Sequence, residues 1–304
     1  TDDYFRTRLT HSIEVSQIAR TISRSLKINE DLSETLALAH DLGHTPFGHA
    51  GEDALNDITQ PWGGFDHNAQ TLKILTSLEH RYANFDGLNL TWETLEGVVK
   101  HNGPLVNSAK KLNKLSRYIF QYNNVYDLDL ERYPSLEAQV ASFSDDIAYN
   151  NHDIDDGLRA GLFKISDLSE VPIIGRVIKK VIDLYGSDLE SSRLYNEIVR
   201  RSINVMVLDL INETKKNIND LDIQTIEDIR NSDSMIASFS DKMSYDNKLL
   251  KEFLYNNMYK HPFINNMTDS AKIIIKDLFQ LFKNDYNLLP DSWRKKITKK
   301  EHDN

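Results

Sequence analysis

Three histidines and an aspartate fall within ten residues in His40-Asp41-Leu42-Gly43-His44-Thr45-Pro46-Phe47-Gly48-His49, in a chain with ten histidines in all. Imidazoles and a carboxylate crowded in this way are the donor types of a transition-metal or phosphate site. At a helix end the adjacent side chains of His40 and Asp41 would point about 100° apart. They can grip one ion only if it sits between them, near that end. Gly43 and Pro46 suit a helix that stops there. The remaining donors must then come from other elements. His11, within Arg6-Thr7-Arg8-Leu9-Thr10-His11-Ser12, and Asp145, within Ser144-Asp145-Asp146-Ile147-Ala148-Tyr149, are the candidates. Two imidazoles and two carboxylates form a mixed N/O set that suits Mn²⁺, Fe²⁺, Co²⁺, Ni²⁺ or Zn²⁺ better than Ca²⁺. On an octahedral ion they would leave positions for water and a substrate oxygen.

Spacing alone leaves other readings open. A His beside an Asp is commonly a structural hydrogen-bonded pair. His44 and His49 could be plain loop residues. His40 and His44 also stand at i, i+4, as in the His-Glu-x-x-His pattern of zinc proteases. Asp41 in place of Glu, and the helix break expected at Gly43, weigh against that reading.

The elements that would carry these residues read as helices. Gly (12) and Pro (7) are sparse in 304 residues, 40% of which are hydrophobic and 27% charged. Apolar residues at i, i+3, i+4, i+7 predict helices over 12–26 and 31–42, the second capped by Asn29. Further helices are expected over 68–79, 91–100, 136–153, 193–216, 247–259 and 269–282. Ile173, Ile174, Val177, Ile178, Val181 and Ile182 are β-prone locally, but their spacing is a helix ridge. Loops are expected at 44–51, 61–65, 84–89 and 101–106, and an irregular excursion over 110–129. The simplest architecture is a mostly α chain forming one unit over 1–304. A metal core over roughly 1–160 would be followed by a helical part over 161–304.

Bulk properties exclude several classes. Without cysteine there are no disulfides, no Cys-based zinc site and no Cys nucleophile, which fits a cytoplasmic setting. No apolar run approaches the ~18 residues of a membrane span, and Thr1-Asp2-Asp3-Tyr4 shows no apolar signal core. A net charge of −10 argues against a dedicated nucleic-acid binder. A few placed cations still suffice for a small anion. The basic segment 294–300 reads as a solvated helix end or tail.

Longer segments resemble a known family. Arg6-Thr7-Arg8-Leu9-Thr10-His11-Ser12-Ile13-Glu14-Val15 and the run from His40 to Glu52 look like the deoxyguanosinetriphosphate triphosphohydrolases of the HD superfamily. The resemblance continues through Gly64-Phe65-Asp66-His67-Asn68-Ala69-Gln70, Gly87-Leu88-Asn89-Leu90-Thr91 and the run from Asp145 to Gly157. It is weaker at Arg200-Arg201 and from Phe253 to His261, where Lys260 stands in place of the family's Arg. It implies an HD-domain helical core with peripheral helices. The implied reaction is metal-dependent hydrolysis of a deoxynucleoside triphosphate, dGTP or dNTPs generally, to deoxynucleoside and tripolyphosphate. A homo-oligomer and a second, regulatory nucleotide are also implied, and residues before the first motif share in holding the nucleoside in that family. The alternatives are another HD-type nucleotide phosphohydrolase and a nucleotide-sensing module with vestigial hydrolysis.

Carried over residue by residue, the resemblance makes His11, His40, Asp41 and Asp145 the ligands of one divalent ion, with Mn²⁺ or Mg²⁺ favoured for activity. The leaving 5′-oxygen needs a proton, and His49, His67 and His44 are the candidate donors. The family's pattern favours His49 with Glu52 as its orienting partner, and matches His67 to a phosphate-facing histidine. Arg8 and Arg6, beside His11, are candidate phosphate clamps. Tyr149 and Asp153 follow Asp145 at i+4 and i+8, on the same helix face. They are placed for a deoxyribose and its 3′-hydroxyl, with Tyr195 a further candidate for the sugar pocket.

Overall fold

The computed structural model describes residues 7–106 and 115–294. Among them there are only helices, turns and loops, apart from an isolated bridge between His80 and Gly87. The mostly α expectation therefore holds. Helix α1 (Arg8–Leu26) opens on Thr7, whose side chain accepts from the Thr10 amide while Thr10 returns a bond to the Thr7 amide. Its buried stripe of Val15, Ile18, Ala19 and Ile22 carries the helical spacing. Asn29 caps α2 (Glu30–Ala39) by accepting from the Asp31 and Leu32 amides. This second helix ends three residues before Leu42, so His40 sits at its C-terminal cap and Asp41 in the turn beyond. Both helices pack on a long one over Leu136–Arg159, and these three position most of the site.

The other helices are α3 (Gly48–Thr59), α4 (His67–Lys73), α5 (Trp92–Lys100) and α6 (Arg117–Asn123). The long helix is α7, followed by α8 (Ile165–Leu168), α9 (Pro172–Tyr185) and α10 (Ser191–Asp220). Last come α11 (Ile226–Arg230), α12 (Asp241–Leu254), α13 (Pro262–Asn284) and α14 (Asp291–Arg294). One hydrophobic cluster runs from Val15 on α1 to Leu254 on α12.

Three expectations are corrected. The loop expected over 44–51 ends early, because α3 begins at Gly48. Phe47 and Gly48 both take left-handed backbone (φ 66° and 55°), a reversal that composition alone does not signal. Within the expected excursion over 110–129, residues 117–123 are helical; Ile119 is buried and the Tyr118 hydroxyl bonds to Thr76 and Ser77. The helices expected over 68–79 and 247–259 each finish in a π-helical turn, Ile74–Leu78 and Tyr255–Tyr259. Such turns re-aim side chains and are frequent at functional sites.

One buried ion pair anchors the segment leading into α7. Lys100 Nζ lies 2.9 Å from Glu96 Oε1, with both side chains 0% exposed. It also donates to the carbonyls of Asp129 and Arg132 at 2.6 and 3.0 Å. Burial pushes Lys100 down and Glu96 up, so each depends on its partner to stay charged. Lys100→Met leaves an uncompensated buried carboxyl and is expected to cost about 3–5 kcal/mol. Chemical unfolding would show it, and an unchanged midpoint would count against this assignment.

Candidate active site

The C-terminal cap of α2 presents His40 to the interior. Its Nδ1 donates to the Ala37 carbonyl at 2.7 Å, which fixes the ring and turns Nε2 inward. That Nε2 is buried and makes no hydrogen bond, although Asp41 Oδ1 and Asp145 Oδ1 lie 3.2 and 3.3 Å away. His11, one turn into α1, brings Nε2 to 2.9 Å from Asp145 Oδ1 and 4.0 Å from Asp41 Oδ2. One donor atom each from His11, His40 and Asp145 lie within 4.8 Å of one another. Three elements distant in sequence thus converge on one point.

This point calls for positive charge. Burial opposes a charged His40, yet the Asp145 and Asp41 carboxylates outweigh it and raise the imidazole to about 9. Asp145 is held well below the usual carboxylate range, against its burial, by His11 and His40. Asp41 is also lowered against its burial, chiefly by His44. Two carboxylates and inward-facing imidazole nitrogens, one of them a buried orphan, fit a divalent cation of the transition-metal class. Behind His40 stands His101, buried, its Nδ1 donating to the Val98 carbonyl at 2.8 Å and its ring centroid 6.3 Å from that of His40. Burial pushes His101 down to about 4, so it is a neutral wall.

A second group adjoins the first. His44 Nε2 lies 3.2 Å from Asp41 Oδ1, and its ring stacks on His67 at 4.2 Å. His67 begins α4, where Asp66 caps the helix. The close approach depends on Gly43, whose amide donates to Thr71 Oγ1 at 2.9 Å. A Cβ there would sit 2.1 Å from the His67 carbonyl oxygen, so only glycine lets this turn lie against α4. Glu52 accepts from His67 Nδ1 at 2.8 Å and from the His67 amide at 3.1 Å. Its other oxygen stands 3.6 Å from His49 Nδ1. Glu52 is therefore shared and more tightly tied to His67 than to His49. It is held far below the usual range by His49 and His67, against its burial. The Glu52 carboxylate in turn raises His49, whose side chain is 71% exposed. Salt bridges from Lys272 and Lys276 to Asp53 and Asp57 hold α13 against α3, the helix that carries His49 and Glu52.

On the opposite side of His11, Tyr149 and Asp153 line one face of α7. Tyr259, from the π-helical turn after α12, donates its hydroxyl to Asp153 Oδ2 at 2.5 Å, and its oxygen lies 2.7 Å from Tyr149 Oη, whose hydroxyl can donate to it. The Tyr149 ring meets His11 edge-on at 6.4 Å. Arg8 is exposed and donates to the Thr45 carbonyl, which ties the start of α1 to the His40–His49 turn. Tyr195 packs half-buried against the hydrophobic core. Arg6 lies outside the described residues. Sequence reasoning gave no role to Tyr259, His101, Glu14 or His152. A signal existed for Glu14 and His152, which stand three and seven residues after His11 and Asp145, on the same helix faces.

The HD domain family matches residues 8–150, and the phosphohydrolase-associated domain matches residues 237–304. A deoxyguanosinetriphosphate triphosphohydrolase-like protein of Parvibaculum lavamentivorans is 52% identical over 292 residues, covering 96% of this chain and 74% of that protein. A protein of the same description from Brucella suis is 51% identical over 294 residues, covering 96% and 73%. One from Rhizobium meliloti is 49% identical over 293 residues, covering 96% and 72%.

Proposed function

The chain belongs to the HD-superfamily deoxyguanosinetriphosphate triphosphohydrolase-like proteins, and from that premise we propose that it hydrolyses deoxynucleoside triphosphates to deoxynucleoside and tripolyphosphate. His11, His40, Asp41 and Asp145 would hold one divalent ion, Mn²⁺ or Mg²⁺ for activity. The observation that carries this reading is the convergence of His11, His40 and Asp145 around the buried, unbonded His40 Nε2. An ion held there supplies Lewis-acid polarisation of a phosphate oxygen and activation of water.

The side chains around it divide the remaining work. Arg8, with Arg6, would neutralise part of the ~4 negative charges of a triphosphate. His44 and His67 face the phosphates, and His67 also holds Glu52 in place through two hydrogen bonds. His49, charged with the help of Glu52 and open to solvent, would give its proton to the leaving 5′-oxygen. Tyr149 and Asp153 would receive the deoxyribose, Asp153 accepting from the 3′-hydroxyl and the Tyr149 ring crowding a 2′-hydroxyl, with Tyr195 a further sugar-pocket candidate.

Tyr259 joins that pocket on its geometry. Tyr259→Phe removes the hydroxyl that donates to Asp153 and meets the Tyr149 hydroxyl, a loss of about 1–1.5 kcal/mol. KM is expected to rise about tenfold with kcat little changed, as for a contact made equally in both states. Steady-state kinetics in which KM does not move would remove Tyr259 from the sugar site. We extend the proposal to a homo-oligomer with a second, regulatory nucleotide, as the family resemblance implies, and to a cytoplasmic setting, which the cysteine-free sequence fits. Sedimentation, and assays with and without an added nucleotide mixture, test that part.

The reading as a whole is tested by incubating the metal-loaded protein with each deoxynucleoside and ribonucleoside triphosphate and separating the products by chromatography. Deoxynucleoside with tripolyphosphate is expected. Orthophosphate or pyrophosphate would point to another HD-type nucleotide phosphohydrolase. Binding without product would point to a nucleotide sensor.

A further inference from the structure

His152 is buried behind the candidate ion site, and none of the roles above uses it. It follows Asp145 on α7 and faces α1. Its Nε2 lies 2.6 Å from Glu14 Oε2, and its Nδ1 lies 3.2 Å from His11 Nδ1. The other nitrogen of His11, Nε2, is the one turned toward Asp145 and Asp41. Glu14, His152 and His11 therefore form a line that runs from a carboxylate to a metal-facing donor atom.

Proton placement gives this line a direction. An ionised carboxylate can only accept, so His152 presents N–H at Nε2. In a neutral imidazole the other nitrogen is then an acceptor, which makes His152 Nδ1 the acceptor for His11. His11 must carry its hydrogen on Nδ1, and its Nε2 lone pair is left for a cation. With the direction reversed, His152 would donate from Nδ1 and the His11 hydrogen would move to Nε2, where it would block the ion. The second imidazole ligand, His40, is fixed in the same tautomer by the Ala37 carbonyl. His11 has no carbonyl in that role; side chains from two helices take its place.

We propose that Glu14 and His152 are positioning residues that hold His11 in its Nδ1–H tautomer and thereby set the affinity of the site for its divalent ion. The inference rests on the ion-binding reading given above. Ligand histidines generally depend on such an outer partner, whose loss weakens metal binding about 10–100-fold.

The test is calorimetric titration of Mn²⁺ into the chelator-stripped full chain, beside thermal melting of the metal-free protein. His152→Phe keeps a ring but removes both nitrogens, and Kd is expected to rise about 10–100-fold. His152→Asn restores an acceptor near the Nδ1 position and should recover most of that loss. Glu14→Met, which keeps the side-chain length but removes every acceptor, should weaken binding in the same direction, while Glu14→Gln, whose amide oxygen can still accept from His152 Nε2, should lose less. With Zn²⁺ bound, ¹⁵N spectra should show His11 protonated at Nδ1 in the parent and a mixture of tautomers or no ligation in His152→Phe. Wild-type Kd in both His152→Phe and Glu14→Met would overturn the proposal. If His152→Phe does not fold, wild-type Kd in Glu14→Met overturns it alone. An unaltered Kd in His40→Ala, or no binding by the parent chain, would instead remove the ion-binding reading on which it rests.

Discussion

Asp145→Ala is expected to abolish divalent-ion binding and to lower kcat by about a thousandfold or more. Among the described residues, Asp145 Oδ1 is the carboxylate oxygen that lies near both inward imidazole nitrogens, 2.9 Å from His11 Nε2 and 3.3 Å from His40 Nε2. Removing it leaves two imidazoles and Asp41, a set with half the negative charge. Lewis-acid stabilisation of a phosphoryl transition state is worth several kcal/mol, and about 1.4 kcal/mol corresponds to a factor of ten in rate. Folding should be retained, because Asp145 lies at the edge of the core and its neighbours Ile147 and Ala148 supply the packing of α7. Metal analysis, circular dichroism and single-turnover rates on the same preparation would check this. Retained ion and retained rate would exclude Asp145 as a ligand.

The second large effect concerns His49. If it protonates the 5′-oxygen, His49→Ala should lower kcat by about 10²–10⁴, the usual contribution of a general acid. Its pH dependence has a definite sign. The Glu52 carboxylate raises His49, against partial burial, so the protonated form persists above the ordinary imidazole range. The alkaline limb of the kcat profile should therefore lie above that of a free imidazole. Glu52→Gln removes the cause and should move that limb to lower pH, while also loosening His67. His67→Ala should cost less in kcat, because in the proposed reading His67 faces phosphate and holds Glu52 and does not itself protonate the leaving oxygen. A His49→Ala enzyme with intact kcat, or a Glu52→Gln limb that does not move, would take the proton-transfer role from this pair.

The order of helices, the cap at Asn29 and the ridge from Ile173 to Ile182 could be read from hydrophobic spacing, because burial of one helix face imposes that spacing. The cluster at His40–His49 was visible as composition. Its three-dimensional partners were less so: His11 and Asp145 are separated from it by whole helices, could be named only as distant candidates, and became specific through the family resemblance. Local pattern failed where backbone reversals and π-helical turns decide direction. The left-handed Phe47–Gly48 pair starts α3 early and so places His49 and Glu52 on a helix. The turn at Tyr255–Tyr259 brings Tyr259 onto Asp153 across more than a hundred residues of chain. Such placements are set by packing between helices, which no short window of sequence contains. Glu14 and His152 show part of the same limit: their spacing puts them on the helix faces of His11 and Asp145, but only the packing of α1 on α7 shows that they face each other.

Hydrolysis of a deoxynucleoside triphosphate in H₂¹⁸O by the Mn²⁺-loaded chain, followed by mass spectrometry and ³¹P spectra of the products, examines where the bond breaks. Water attacking the α-phosphorus, with the 5′-oxygen leaving, places one ¹⁸O in tripolyphosphate and none in the deoxynucleoside. Label in orthophosphate or pyrophosphate, or in the deoxynucleoside itself, would contradict a triphosphohydrolase built on His11, His40, Asp41 and Asp145.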